Sequence, residues 1–289
     1  MSSAAAPAPP ALRAVGVFDS GVGGLTVLRA LRAALPAEHF LYLGDTARLP
    51  YGTKSQHTVV RYAIQAADEL VTRDIKCLVV ACNTASSAAL PAMRERYGEL
   101  PVIGVIEPGA RAACEATRNG RIAVLGTDST VRGGAYTRAI HQLNPRATVL
   151  GIACSVFVAL AEEGWTEGAV AQAAVARYLQ PLIAPTAASP DTLVLGCTHF
   201  PILAPLIAAT LGNGVCMVDS AQTTAAAVRL ELERTQLLRS PAMPATSAQH
   251  MPAGSMQFLA TDGAQRFAAI GSRFLGQHID AAAVELIDL

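Results

Sequence analysis

The sequence predicts an α/β protein of two similar domains. Each is a mostly parallel sheet flanked by helices, the two are related by a pseudo-twofold, and the active site lies between them. Three observations carry this. Short apolar runs of strand type alternate with helical patterns along the whole chain, as in parallel sheets covered by helices on both faces. Residues 78–84 (Leu-Val-Val-Ala-Cys-Asn-Thr) and 193–199 (Leu-Val-Leu-Gly-Cys-Thr-His) are matched apolar strands that each end in a cysteine beside polar side chains. Residues 15–24, an apolar strand, a carboxylate and hydroxyl pair, glycines and a helix, are echoed at a similar offset by residues 121–141. Two echoes at one offset mark duplicated halves.

The elements follow in order. Residues 14–18 read as a strand, and Asp19-Ser20-Gly21-Val22-Gly23-Gly24 turns it into a helix over 25–35. Such a turn presents backbone N–H groups to an anion. It lacks the full dinucleotide spacing, and a plain turn capped by Asp19 or Ser20 is the simpler reading. Residues 39–43 form a second strand. Pro50-Tyr51-Gly52 is then a rigid loop able to hold a phenol or a backbone N–H against a ligand. A helix over 58–73 precedes the first cysteine strand, and another opens at Thr84. Residues 101–106 are a strand that Glu107-Pro108-Gly109 turns into a helix; 121–126 and 148–153 are strands, with a helix running to His141 between them. A helix over 168–183, the second cysteine strand, a helix over 201–211, a strand over 215–218 and a helix over 223–237 follow. Residues 240–255, rich in Pro, Ala, Ser and Met, read as a flexible insertion. A last strand over 256–260 and a last helix over 264–275 close the pattern. The breaks near 97–101 and 212–214 place the first domain at 14–99 plus 214–289 and the second at 100–213, with 1–13 a disordered tail.

Composition narrows the function. Hydrophobic residues are 52% of 289 and charged residues 15%, enough apolar side chain for a large core. The formal net charge is zero, without the basic excess that a nucleic-acid partner leaves. The start lacks a secretory signal, and no apolar run is long enough to span a membrane. Six scattered cysteines without a CxxC pair fit reduced thiols and a cytoplasmic location rather than disulfides or structural zinc.

Four readings of Cys82 and Cys197 compete. They are core residues, as Cys77, Cys114, Cys154 and Cys216 are taken to be. They bind a metal with His199, one ligand short of a closed site. One is a covalent nucleophile with His199 as base, which leaves the other idle. Or each carries a proton on one face of a substrate carbon, which inverts that carbon. Only the last uses both strands and both halves. Asn83, Thr84 and Thr198 supply donors suited to a carboxylate, helix N-termini favour the thiolates, and Asp19 or His199 assists with the proton. Only Lys54 and Lys76 are present, neither in a pyridoxal-type motif.

These motifs resemble the glutamate racemases of the aspartate/glutamate racemase superfamily. The resemblance runs through Phe18-Asp19-Ser20-Gly21-Val22-Gly23-Gly24, Tyr42-Leu43-Gly44-Asp45, Pro50-Tyr51-Gly52, Ala81-Cys82-Asn83-Thr84, Gly104-Val105-Ile106-Glu107-Pro108-Gly109, Val124-Leu125-Gly126-Thr127 and Gly196-Cys197-Thr198-His199-Phe200-Pro201. It implies cofactor-independent interconversion of L- and D-glutamate, for peptidoglycan synthesis, by a homodimer without metal. By matching motif, Cys82 and Cys197 are implied bases for opposite enantiomers, with Asp19, His199 and Glu162 assisting. Ser20, Pro50, Tyr51, Gly52, Asn83, Thr84, Thr127, Thr130 and Thr198 are implied substrate contacts. Ser155 follows Cys154 where the family has proline. Aspartate racemisation, decarboxylation in the same superfamily and a non-catalytic anion-binding module are the rival readings.

Overall fold

The computed structural model describes residues 9–183, 189–240 and 254–289. Ten strands, among the described residues, form two wholly parallel sheets. The first contains β1 (Val15–Asp19), β2 (Phe40–Gly44), β3 (Cys77–Val80), β4 (Val102–Gly104), and, much later, β9 (Met256–Ala260) and β10 (Val284–Leu286). Its order is β10-β9-β2-β1-β3-β4. The second contains β5 (Arg121–Gly126), β6 (Thr148–Ala153), β7 (Thr192–Gly196) and β8 (Cys216–Asp219), in the order β6-β5-β7-β8. The four strands β2-β1-β3-β4 thus repeat as β6-β5-β7-β8, so the two cysteine strands, β3 and β7, hold equivalent places.

The helices are α1 (Leu25–Ala34), α2 (Gln56–Thr72), α3 (Asn83–Tyr97), α4 (Ile106–Ala116), α5 (Asp128–Gly133), α6 (Ala135–Leu143), α7 (Val156–Glu163), α8 (Gly168–Ile183), α9 (Ala204–Leu211), α10 (Ser220–Arg234) and α11 (Ala264–Leu275). Strands buried on both faces are apolar throughout rather than alternating, which is why β1 and β3 read so clearly. Val15, Val17 and Val79 face α1 through Leu25, Leu28 and Leu31, while Phe18, Leu78 and Val80 face α2 and α3 through Val59, Ala63 and Ala89. In the second half Leu125, Leu193 and Leu195 pack on Phe157, Val175, Leu179 and Ile207. The opposite face, with Ile122, Val124 and Val194, joins the core that contains α1 and α10, so apolar packing is continuous between the halves.

Sheet membership moves the domain crossings. Residues 100–104 belong to the first sheet, because β4 pairs with β3 from Leu78 opposite Val102. Likewise β8 pairs with β7, so residues 214–219 stay with the second sheet. The chain crosses through α4 and returns through α10, which pack together. Gly98, at φ 54°, ends α3, and Pro101 leads into an edge strand; these breakers mark turns inside a half, not its boundary.

Smaller differences have local causes. The helix expected over 201–211 is a 3-10 turn at Phe200–Leu203 followed by α9. Helix α4 begins at Ile106, and Pro108 fits its first turn, where no intrahelical N–H is required. β10 lies beyond the expected last helix; three residues carry too little pattern to be recognised. The expected tail is ordered from residue 9: Leu12 is buried, and Ala11 O accepts from Lys76 Nζ at 2.7 Å. Residues 1–8 of that tail and 241–253 of the expected insertion lie outside the described residues. The insertion's end is tied down, with Ser255 O accepting from Phe40 N at 3.1 Å. Lys76 itself is buried in an ion pair with Glu38 at 2.5 Å.

Candidate active site

Ligand sites of parallel α/β sheets form where strands end and helices begin. Cys82 follows β3 and is the N-cap of α3, its Sγ accepting from Ala85 N at 3.4 Å and lying 3.5 Å from Ser20 Oγ, beyond the end of β1. Cys197 follows β7, with Sγ 3.8 Å from His199 Nδ1. Both thiols line one cavity of about 340 Å³, at the small end of the roughly 300–1,000 Å³ typical of ligand sites. Ser20, Pro50, Tyr51, Gly52, Asn83, Thr84, Thr127, Glu162, Thr198 and His199 line it too.

Asp19 and Thr130 do not reach the cavity wall. Asp19 is fully buried behind it, with Oδ2 accepting from Gly21 N at 3.0 Å. Thr130 closes a triangle of hydroxyls with Thr84 and Thr127, at 3.2 and 3.0 Å, while Thr84 and Thr127 are 3.1 Å apart. That triangle joins α3 of the first half to α5 of the second. Tyr51 is at the wall, but its phenol donates to Asp45 Oδ2 at 2.5 Å. It props the loop. Gly52 must be glycine: a Cβ there would lie 2.8 Å from Thr127 Cβ. Asn83 Oδ1 accepts from Tyr136 OH at 2.7 Å, whereas its buried Nδ2 has no partner among the described residues. A buried donor without a partner is costly, so a cavity beside it favours an acceptor such as a carboxylate oxygen.

Glu162 reaches the site from α7 despite the serine after Cys154. Ser155 starts α7 without a side-chain cap, and the helix carries Glu162 to within 3.2 Å of His199 Nε2. That hydrogen bond, ahead of burial acting in the other direction, keeps the Glu162 carboxyl below its ordinary value. His199 therefore stands between Cys197 and a carboxylate, and Phe274 presses on its ring at 5.2 Å, edge to face.

Electrostatics corrects one expectation. Helix N-termini were to ease thiol ionisation, yet both thiols sit above their ordinary values. Burial pushes Cys82 up to about 11, and the nearby Asp19 carboxylate adds to it, outweighing the donors at Ser20 and Ala85. Burial also raises Cys197 strongly, against the His199 N–H, and the charge of Cys82 raises it further. The pair consequently resists double ionisation: one thiolate opposite one thiol is the favoured charged state. Burial likewise raises Asp19, with the His199 charge acting against it.

Gly21, Leu49, Thr53, Ser155, Val158 and Ala159 also line the cavity, though their sequence gives no chemical sign of it. Only the spacing of Val158, Ala159 and Glu162 on one side of α7 hints that they share a wall. A larger open groove of about 1140 Å³ between α3, α4 and α10 holds no thiol and carries the Arg94–Glu107 and Arg234–Glu231 ion pairs.

Two like parallel halves with a thiol at the same strand end of each, across one small cavity, define a class: acid–base isomerases that invert a carbon between two opposed groups. The chain belongs to the Asp/Glu/Hydantoin racemase family, whose sequence profile matches residues 15–228. It is 50% identical to a glutamate racemase of Geobacter metallireducens over 91% of this chain and 93% of the relative. Glutamate racemase isoform RacE1 of Bacillus anthracis superposes with a TM-score of 0.86 at 36% identity, covering 96% of this chain and 98% of the other. The Francisella tularensis glutamate racemase, solved in complex with D-glutamate, superposes at 0.85 with 32% identity and the same coverage.

Proposed function

We propose that Cys82 and Cys197 interconvert L- and D-glutamate by a two-base mechanism in which neither thiol is bonded to the substrate. The observation that carries it is the pair of thiols, from equivalent strand ends, on one cavity. One thiolate takes the Cα proton from one face; the opposite thiol gives its proton to the other face. The carbon is inverted, and the charge has moved from one sulfur to the other. The reverse step uses the same groups with roles exchanged.

A Cα proton of an amino acid is a weak acid, so the developing negative charge needs preset donors in a site that excludes water. Asn83 Nδ2, the hydroxyls of Thr84 and Thr198, and the N-terminus of α3 supply them for the α-carboxylate. Ser20, Thr127 and the Pro50-Tyr51-Gly52 loop complete the enclosure. Asp19 and the Glu162–His199 couple bias the charge on Cys82 and Cys197, respectively. The enzyme racemises glutamate, which supports a role in supplying D-glutamate for peptidoglycan; a cytoplasmic homodimer is the setting that family membership favours. No described helix is long and apolar enough to cross a membrane.

Circular dichroism started from each pure enantiomer, with no cofactor added, is the direct test. The signal is expected to decay to zero from both sides; a signal that stays constant with glutamate removes the reading. The pH profile is a second test. Because burial holds Cys82 at about 11 and raises Cys197, thiolate is the minor form at neutrality. kcat/KM is therefore expected to climb from about pH 6 to 8, approaching tenfold per unit. A flat or falling profile over that window contradicts a thiolate base.

A further inference from the structure

The Cys197 side of the site is built by the second half but held by the first. Glu162 ends α7. Its Oε2 lies 3.3 Å from Arg266 Nη2, and its backbone carbonyl accepts from Arg273 Nη2 at 2.8 Å. Both arginines belong to α11, after the last return of the chain to the first sheet. Phe274, the next residue of α11, supplies the ring against His199. Arg266 and Arg273 are two turns apart, so they lie along one side of that helix, and Phe274 stands next to Arg273, turned into the core. Gly164, at φ 75°, closes α7 and leaves no Cβ in the path of Arg273; a Cβ there would lie 2.0 Å from Arg273 Nη1. The Cys82 side is tied across the halves by other elements, through Thr84 to Thr127 and Thr130 at α5 and through Asn83 to Tyr136 of α6, and none of these ties is with α11. The groups at the thiol itself, Ser20, Asp19 and Ala85, belong to the first half.

We propose that α11 is a cross-domain latch, and that Arg266 is a positioning residue which holds Glu162, and through it His199, for the Cys197 proton transfer but not for the Cys82 transfer. The inference rests on the two-base reading. Arg266 touches neither thiol and does not line the cavity. Its side chain is 67% exposed and that of Glu162 17%, so the pair adds little to stability and its loss leaves the fold intact. What it supplies is direction: one carboxylate oxygen is occupied by Arg266, and the other is turned to His199.

The test is Arg266→Gln, with Arg266→Lys beside it. kcat/KM is expected to fall roughly tenfold in Arg266→Gln, less than the roughly 10²–10⁴ that loss of a whole acid–base group costs. Enantiomers have equal free energy, so this fall is the same in both directions and does not reveal which thiol is affected. Primary deuterium isotope effects with Cα-deuterated L- and D-glutamate do. Each reports the transfer to the thiol that takes that enantiomer's proton. Slowing only the Cys197 transfer makes it more rate-limiting, so one isotope effect rises and the other falls. Arg266→Lys, which keeps the charge, is expected to move both back toward the unsubstituted enzyme. An unchanged ratio of the two isotope effects in Arg266→Gln, whatever the loss of rate, overturns the latch. If Cys82→Ser or Cys197→Ser keeps full activity, it is the two-base reading that has failed. If both serine variants are inactive while the ratio stays put, only the latch has.

Discussion

Serine at either Cys82 or Cys197 is expected to lower kcat by roughly 10³-fold or more in both directions, the scale on which essential acid–base groups act. Serine is nearly the shape of cysteine, and each thiol is only 5% exposed, so the fold and the cavity survive. What is lost is acidity. A serine hydroxyl gives no useful population of alkoxide near neutrality, whereas the thiols, although raised by burial, remain reachable as the monoanion of a pair. Both variants should bind glutamate within a few-fold of the unsubstituted enzyme, because Asn83, Thr84 and Thr198 are intact. Initial rates from each enantiomer, with calorimetric titration of glutamate, measure the two halves of this statement. Substantial racemisation by either variant would show that one base suffices.

Alanine at Gly23 is expected to be nearly as damaging without touching any ionisable group. A Cβ at that position would lie 2.4 Å from His199 Nδ1 and 2.4 Å from Thr198 Oγ1. Real atoms do not approach so closely, so something must move. His199 has little room to give: Glu162 holds Nε2 at 3.2 Å and Phe274 bears on the ring. Thr198 is anchored as well, its carbonyl accepting from Thr26 Oγ1 at 2.9 Å. The two halves must therefore separate at this point, which draws Cys197 and His199 together away from Cys82 across the cavity. Overpacking of this kind costs about 1–3 kcal/mol, and misplacing a reacting group by about 1 Å costs on the order of 10² in rate. The expected pattern is a small drop in melting temperature with a fall in kcat of roughly 10²-fold. A variant with unaltered kcat would mean that the contact of Gly23 with the His199 loop is looser than these distances require.

That glycine also shows how far the chain alone could be read. The glycine turn after β1 was legible as an anion-favouring N-terminus or a plain turn. Its decisive contact is with residues of the other half, far away in sequence, and no local pattern reports such an approach. Helix α7 is a similar case. Glu162 is reachable from the sequence only through family resemblance, and Val158 and Ala159 not at all, because apolar wall residues look like any others on an amphipathic helix. The phenol of Tyr51 read as a ligand contact; the fold spends it on Asp45. The domain crossings were displaced by a short strand at each one, since Gly and Pro mark turns irrespective of whether a sheet continues beyond them.

The alternation of elements, the burial of β1, β3, β5 and β7 and the echo of motifs between the two halves are local consequences of composition and period, and the amino-acid sequence determined them alone. So too did the two cysteines at matched strand ends, because a strand that stops abruptly in polar residues must stop at a sheet edge. Tertiary structure decided what those ends face. It brought Cys82 and Cys197 to one cavity, raised both thiols by desolvation where helix ends had promised the reverse, and placed α11 of one half against the Glu162–His199 couple of the other. Those are distances and dielectric surroundings created only when two halves close on each other, and a one-dimensional pattern contains neither.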